Sequence, residues 1–440
     1  MRLEGRCFTS KVWGLVIIII LSFTFSAYGQ EVIKVGVVYP LTGGLQATGK
    51  ELKNAIELSV DIANGKHPEL APLLLADAKG IRIMKGGKLA PATIAVEWGN
   101  TEGKVESGAA EVTRLVRSRG GVAILGCWQS AVTRAAVTAA AREQVPLLTQ
   151  SVAPELTNPS VMGESLKWFF RPNPTTFDFT ELFFRFLEAA QTKKGVKAET
   201  IALIFENTLY GKQQSDVAKE MVETKYKQYK IVASIGYPHE TSDVVAEVLS
   251  LKKANPDVVY GMPYISDAIL FTKTFRELNF NPKCGYFFDN AGVVEPQYLE
   301  SVGKEAEFFL SRGIYNADLR TRKPSLGKIE DLYFKRYGTH MSDNSARAML
   351  KALVLFDAIN RAQSDKPDDI RKALLETDIP EAKTNMVFGV KFDPTSHQNI
   401  RTQGMGIVQQ VRDKVMRVVY PWDFASVDLV WPARPWSEKK

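Results

Sequence analysis

The sequence predicts an α/β protein built as two doubly wound parallel-sheet lobes joined by a multi-strand hinge. Three observations carry that expectation. Short apolar or β-branched runs alternate with stretches of helical length, the pattern of parallel strands covered by helices. The alternation comes in two series, separated by the Pro-punctuated segment Trp168-Phe-Phe-Arg-Pro-Asn-Pro174. A chain of 440 residues is also long enough for two domains with sizeable cores.

Residues 1–29 read as a cleavable export signal. Arg2, Arg6 and Lys11 are positive, 12–25 (VWGLVIIIILSFTF) is apolar, and Ala27-Tyr28-Gly29 puts small residues before a cut at Gln30. The apolar run is shorter than the roughly 20 residues of a spanning helix. Cys7 precedes it, so no lipid-attachment cysteine follows. Next come a strand over 32–38, a Gly-rich turn from Tyr39 to Gly44 and a helix over 50–64 with Leu52, Ile56, Val60 and Ala63 on one face. Gly44 to Lys50 fits the first seven positions of a phosphate-binding loop. Glu51 then stands where a magnesium-binding hydroxyl is needed, and its charge would repel phosphates. The glycines instead let the backbone approach a small ligand.

A strand over 94–98, a helix over 106–119, a strand over 122–125, a helix opening at Ser130 and a strand over 145–149 complete the first series. Residues 67–93, with Leu73-Leu-Leu75, Lys85-Gly-Gly87 and Pro91, lie between its first helix and second strand and are expected to cover one edge of the lobe. The second series has helices over 178–191, 212–226, 244–254 and 268–278 and strands over 200–205, 231–236, 257–260 and 285–288. Past Arg312 the chain is expected to return to the first lobe, with helices near 326–337, 344–363 and 367–376. Hairpins at 387–394 and 406–420 follow, and an irregular Trp- and Pro-rich tail from Trp422 is expected either to wrap the second lobe or to be partly mobile. The division expected is 30–172 with 312–390 in one lobe and 173–311 with 391–440 in the other.

Composition narrows the function. With 45% hydrophobic and 24% charged residues the chain is ordinary for a globular protein. Its net charge of +7 is spread out, with no dense basic tract interleaved with aromatics, so nucleic acid is not expected as a partner. Cys127 and Cys284 are too few for a disulfide framework, and free thiols are expected. His67, His239, His340 and His397 are scattered, with no HExxH, no zinc spacing and no Gly-x-Ser-x-Gly. Asp368-Asp369 opens a helix, where capping explains it. No catalytic residue, metal or cofactor is expected, and the chain does not read as an enzyme.

The chemistry concentrates in 121–157. Ser130 opens a helix, where its hydroxyl can cap free N–H groups or the helix end can hold an anion. Thr149-Gln150-Ser151 ends the neighbouring strand on the same edge, and ligands of open α/β sheets lie at the carboxyl ends of strands. The runs Ser130-Ala-Val-Thr133, Val145-Pro-Leu-Leu-Thr149 and Ala153-Pro-Glu-Leu-Thr157 resemble the branched-chain amino-acid-binding proteins of ABC importers. These are type I periplasmic binding proteins, whose fold also serves receptors for amides, urea and aromatic acids. The resemblance extends over essentially the whole mature chain.

That resemblance implies a site. Ser130 and Gln150-Ser151-Val152 match the positions that hold a ligand carboxylate; Tyr210 and Tyr264 match tyrosines that close from the second lobe; Asp289 matches the acid that pairs with an amino group. It also implies a soluble, monomeric periplasmic protein with one cysteine in each lobe. Such a protein captures a small amino acid or related carboxylate and docks on an inner-membrane ABC permease. A ligand-sensing module of the same fold, acting on a membrane receptor, fits the same residues. There are departures: Trp128 and Gln129 replace smaller residues and reshape the side-chain pocket, Thr48 replaces an aromatic lid, Asn100 stands where acids are usual, and Asp289 is shorter than Glu, with Asn290 beside it. They leave open whether the ligand carries an amine.

Overall fold

A computed structural model describes residues 31–439 apart from Ala78 and Asn290; the expected export signal lies outside them. The first lobe opens with β1 (Glu31–Tyr39), α1 (Gln46–Ala63), β2 (Ile81–Lys85), β3 (Lys88–Asn100) and α2 (Val105–Arg117). It continues with β4 (Ile124–Gly126), α3 (Ser130–Arg142), β5 (Leu147–Leu148), α4 (Pro159–Met162) and β6 (Phe169–Phe170). The strands lie in the order β2-β3-β1-β4-β5-β6, parallel except where β2 turns back on β3. Val35, Val37 and Val38 of β1 are fully buried because helices cover both faces of the sheet. The stretch 67–93 supplies β2 and the start of β3, an edge hairpin tied to the far end of a later helix through the Met84 N–H and the Gln363 carbonyl.

The turn between β1 and α1 is tight. A Cβ on Gly49 would sit 1.9 Å from the Pro40 carbonyl oxygen. Gly49→Ala should therefore push α1 off the strand end and cost about 1–3 kcal/mol, the usual range for overpacking, read from the midpoint of a urea melt.

The second lobe contains α5 (Thr176–Lys194), β7 (Thr200–Glu206), α6 (Leu209–Thr224), β8 (Lys230–Tyr237), α7 (Val245–Ala254) and β9 (Val258–Met262). It goes on through α8 (Ile265–Glu277), β10 (Gly285–Phe288), α9 (Pro296–Val302) and β11 (Leu310–Gly313). Thr175 and Asp178 cap α5 reciprocally and Gly195 ends it in the left-handed region, so the helix that begins this lobe is fixed at both ends. The chain then returns to the first lobe with α10 (Pro324–Tyr337), α11 (Asp343–Ala362), α12 (Pro367–Leu375), β12 (Asp378–Ile379) and β13 (Val390–Lys391). Last, β14 (Ile407–Arg412) and β15 (Val415–Tyr420) add an antiparallel edge to the second sheet, whose order is β15-β14-β11-β10-β9-β7-β8.

Three crossovers, at 171–175, 314–323 and 403–406, join the lobes. Two expected boundaries shift. Arg312 lies inside β11 and so in the second sheet, not at the start of the return. Residues 391–402 stay with the first lobe, because Arg171 and the segment 397–399 exchange backbone hydrogen bonds. The tail does wrap the second lobe: the Ala433 N–H donates to the Cys284 carbonyl, and the indoles of Trp431 and Trp436 to the carbonyls of Val196 and Phe280. Cys127 and Cys284 are free and buried in separate lobes, and burial pushes each thiol up to about 12. Among the described residues no helix is long and apolar enough to cross a membrane.

Candidate functional site

At the carboxyl ends of both sheets the lobes meet over a small cavity of about 20 Å³. That is room for about one water molecule, so the cleft is closed. Trp128, Ser130, Gln150, Ser151 and Val152 line it from the first lobe, Tyr210, Tyr264, Ala291 and Arg312 from the second, and Arg347 from α11. Seven of the eight expected residues meet here. Asp289 is absent from the lining. A larger open groove of about 800 Å³ runs between Leu299, Met341 and Met416; none of the eight expected residues lines it.

Each side chain is placed by a specific local feature. Gln129 is the N-cap of α3 and no side chain caps it, so Ser130 is the first helical residue and lines the cavity rather than capping the helix. The Ser151 hydroxyl is committed to the first lobe: it donates to the carbonyls of Cys127 (3.1 Å) and Trp128 (2.9 Å) and meets the Thr133 hydroxyl. It braces two strand ends. Gln150 accepts at Oε1 from Tyr39 and Lys351, which leaves its amide Nε2 without a partner among the described residues. Trp128 donates to Asn344 Oδ1 at 3.3 Å and packs on Tyr264 across the cleft, ring centroids 5.1 Å apart; Tyr264 packs in turn on Tyr210 at 5.4 Å.

Two arginines were not anticipated at the site. Arg312, at the end of β11, makes a bidentate ion pair with Asp289, Nε to Oδ1 at 2.7 Å and Nη2 to Oδ2 at 2.5 Å, with both groups buried. Tyr210 and Gln214 also donate to that carboxylate, at 2.8 and 3.3 Å. Burial alone would lower the Arg312 guanidinium; Asp289 beside it holds it above its usual value. The expected ammonium partner is thus a buried counter-ion. On α11, Asp343, Arg347 and Lys351 recur every four residues and form one polar face of a helix buried from Asp343 to Ile359. Arg347 pairs with Asp343 at 2.9 Å and donates to the Gln150 carbonyl. Burial lowers Arg347 despite Asp343, and lowers the Lys351 ammonium well below its usual range.

One second-lobe acid reaches across the seam. Glu295, just before α9, accepts from the Thr48 hydroxyl of α1 at 2.9 Å and from Asn344 Nδ2 of α11 at 3.0 Å. Thr48, in place of an aromatic lid, is therefore one side of an interlobe clasp. Beneath it lies Glu51, which bonds to Ser342 and the Ser345 N–H. Burial raises both carboxyls, and each is further affected by nearby negative charge: Asp343 on Glu51, Glu51 on Glu295. Lower on the seam, Gln213 of α6 donates to Glu155 of the first lobe at 2.7 Å.

The sequence profile of periplasmic binding proteins matches residues 32–414. Leu/Ile/Val-binding protein homolog 8 of Brucella abortus (strain 2308) is 28% identical over 413 residues, covering 91% of this chain and 93% of its own. The branched-chain amino acid transporter substrate binding protein LivJ from Streptococcus pneumoniae, in complex with isoleucine, superposes with a TM-score of 0.70 at 18% identity, over 89% of this chain and 100% of that one. A solute binding protein of an ABC transporter from Rhodopseudomonas palustris BisB5, in complex with 3,4-dihydroxybenzoic acid, does so with a TM-score of 0.70 at 17% identity, over 91% and 98%. At such identities the structural likeness is one of fold. With its two α/β lobes, its crossovers and a profile match over most of its length, the chain belongs to the type I periplasmic binding protein family.

Proposed function

We propose that the protein is the solute-binding component of an ABC importer, which takes a small carboxylate between its lobes in the periplasm and delivers it to an inner-membrane permease. One observation carries the reading: strand ends of both lobes converge on a buried cavity lined by two ion-paired arginines and by Gln150, whose amide nitrogen has no partner among the described residues. Such a donor suits a carboxylate, and a ligand that touches both lobes favours the closed form. The binding and transport roles named for the relatives support it. Binding rather than catalysis fits the histidines: His239, His340 and His397 face Asp267, Glu330 and the Phe169 carbonyl, each in a different part of the fold.

The test is a thermal-shift screen of residues 30–440, stripped of carried-over ligand by unfolding and refolding, against amino acids and other small carboxylates. A ligand at about 100 times its dissociation constant should stabilise by about 2.7 kcal/mol and be recovered chemically unchanged by mass spectrometry. Labelled uptake of the same ligand should disappear from cells lacking the protein. Conversion of the bound compound to a product would rule the reading out.

A further inference from the structure

We infer that Lys351 is a positioning residue for binding: with Tyr39 it turns the Gln150 side-chain amide so that the nitrogen donates to the ligand carboxylate. This rests on the carboxylate-capture reading above and deepens it. Gln150 is 1% exposed and lines the cavity, and its Oε1 accepts from the Tyr39 hydroxyl at 3.3 Å and from the Lys351 amine. Neither of those partners lines the cavity. With the oxygen end occupied on that side, the Nε2 end is left toward the cavity, and it has no partner among the described residues. A buried donor left unmet costs free energy until something accepts from it.

One helix holds both parts of this glutamine. Arg347 donates to the Gln150 carbonyl at 3.3 Å, and Lys351, about one turn further along α11, donates to its side chain. Tyr39 ends β1 of the same lobe, so the amide is set before the second lobe closes, and little ordering is left for the ligand to drive. Burial raises the Tyr39 phenol, which therefore stays protonated and able to donate.

The lysine has no other evident use at this place. It is fully buried, and the groups that face it are Gln150, the Tyr39 ring at 4.7 Å, the Cys127 thiol and the like charge of Arg347. No carboxylate is among these partners, and burial pushes Cys127 up to about 12, so it supplies no thiolate. A methionine would fill the same space without the cost of desolvating an amine. What the lysine adds is hydrogen-bond donors aimed at one end of an amide whose two ends differ.

The experiment is a double-mutant cycle on the stripped, refolded chain 30–440, with Gln150→Met, Lys351→Met and the two combined. Calorimetry with leucine, phenylalanine, 4-methylpentanoate and benzoate is paired with a urea melt of each ligand-free chain. For the probe that wild type binds most tightly, each single variant should bind about tenfold or more weaker. The double variant should bind no weaker than the singles, because both changes remove the same donor. Lys351→Met should melt at or above the wild-type midpoint. If Lys351→Met binds as well as wild type, or if the two losses add in the double variant, the inference fails while the capture of carboxylates stands. A Lys351→Met midpoint well below wild type would make the lysine structural and overturn the inference as well. If wild type binds none of the four probes, the inference and the reading it rests on fail together.

Discussion

Asp289→Ala should destabilise the protein by about 3–5 kcal/mol with no ligand present, beyond any effect on binding. The reason is the partner it leaves behind. Arg312 is 1% exposed and has both its Nε and one Nη directed at Asp289. Removing the carboxylate strands a guanidinium in a site that water does not reach. Breaking a buried pair on one side is far costlier than removing the pair as a whole. The double variant Asp289→Ala with Arg312→Met should accordingly recover most of the loss, because no charge remains to be hydrated. Denaturant melts of the two variants give the comparison directly. A single variant within about 1 kcal/mol of wild type would show that Asp289 is not holding Arg312 in place, and would reopen its role as a ligand contact.

Most of the candidate site was legible because strand ends are legible. Apolar runs that stop at polar residues mark the carboxyl edge of a parallel sheet, and Trp128, Ser130, Gln150, Val152, Tyr210 and Tyr264 all follow such runs. What the sequence could not show is who stands beside whom. The parallel register that sets Phe287 opposite Leu310 brings Asp289 level with Arg312 two residues on, and nothing local to either strand announces that pairing. β11 was itself hard to see, since Leu310-Ser-Arg-Gly313 is short and interrupted by polar residues. Arg347 did leave a signal. Asp343, Arg347 and Lys351 at four-residue spacing in an otherwise apolar helix mark a buried polar face, which seldom exists without a partner or a ligand. The misplaced 391–402 boundary has a similar origin: its pairing with Arg171 is made across more than 200 residues of chain.

The second large effect concerns pH and the clasp at Glu295. Opening the cleft would withdraw its carboxyl from Thr48, Asn344 and the neighbourhood of Glu51 into water, where it returns toward the ordinary value of 4.5. In the closed form burial first, and Glu51 second, raise it well above that. Closing therefore takes up a proton. A carboxyl raised in the closed state favours closure fully below its open-state value, and that contribution is lost as pH rises through the closed-state value. Ligand affinity, which depends on closure, should weaken from about pH 4.5 upward, by at most about tenfold per pH unit for each proton linked. Thr48 and Asn344 offer only hydrogen-bond donors here and no cation, while Asp343 and Glu51 nearby are acids, so the ionised form gains no ion pair in compensation. Glu295→Gln keeps the size and an acceptor oxygen but cannot ionise. It should bind as tightly at pH 8 as at pH 5, apart from the residual slope contributed by Glu51. Calorimetric titrations of both proteins with the same ligand across that range decide the matter: coincident profiles would mean that Glu295 does not carry the linkage, and a flattened one that the proton taken up on closure resides there.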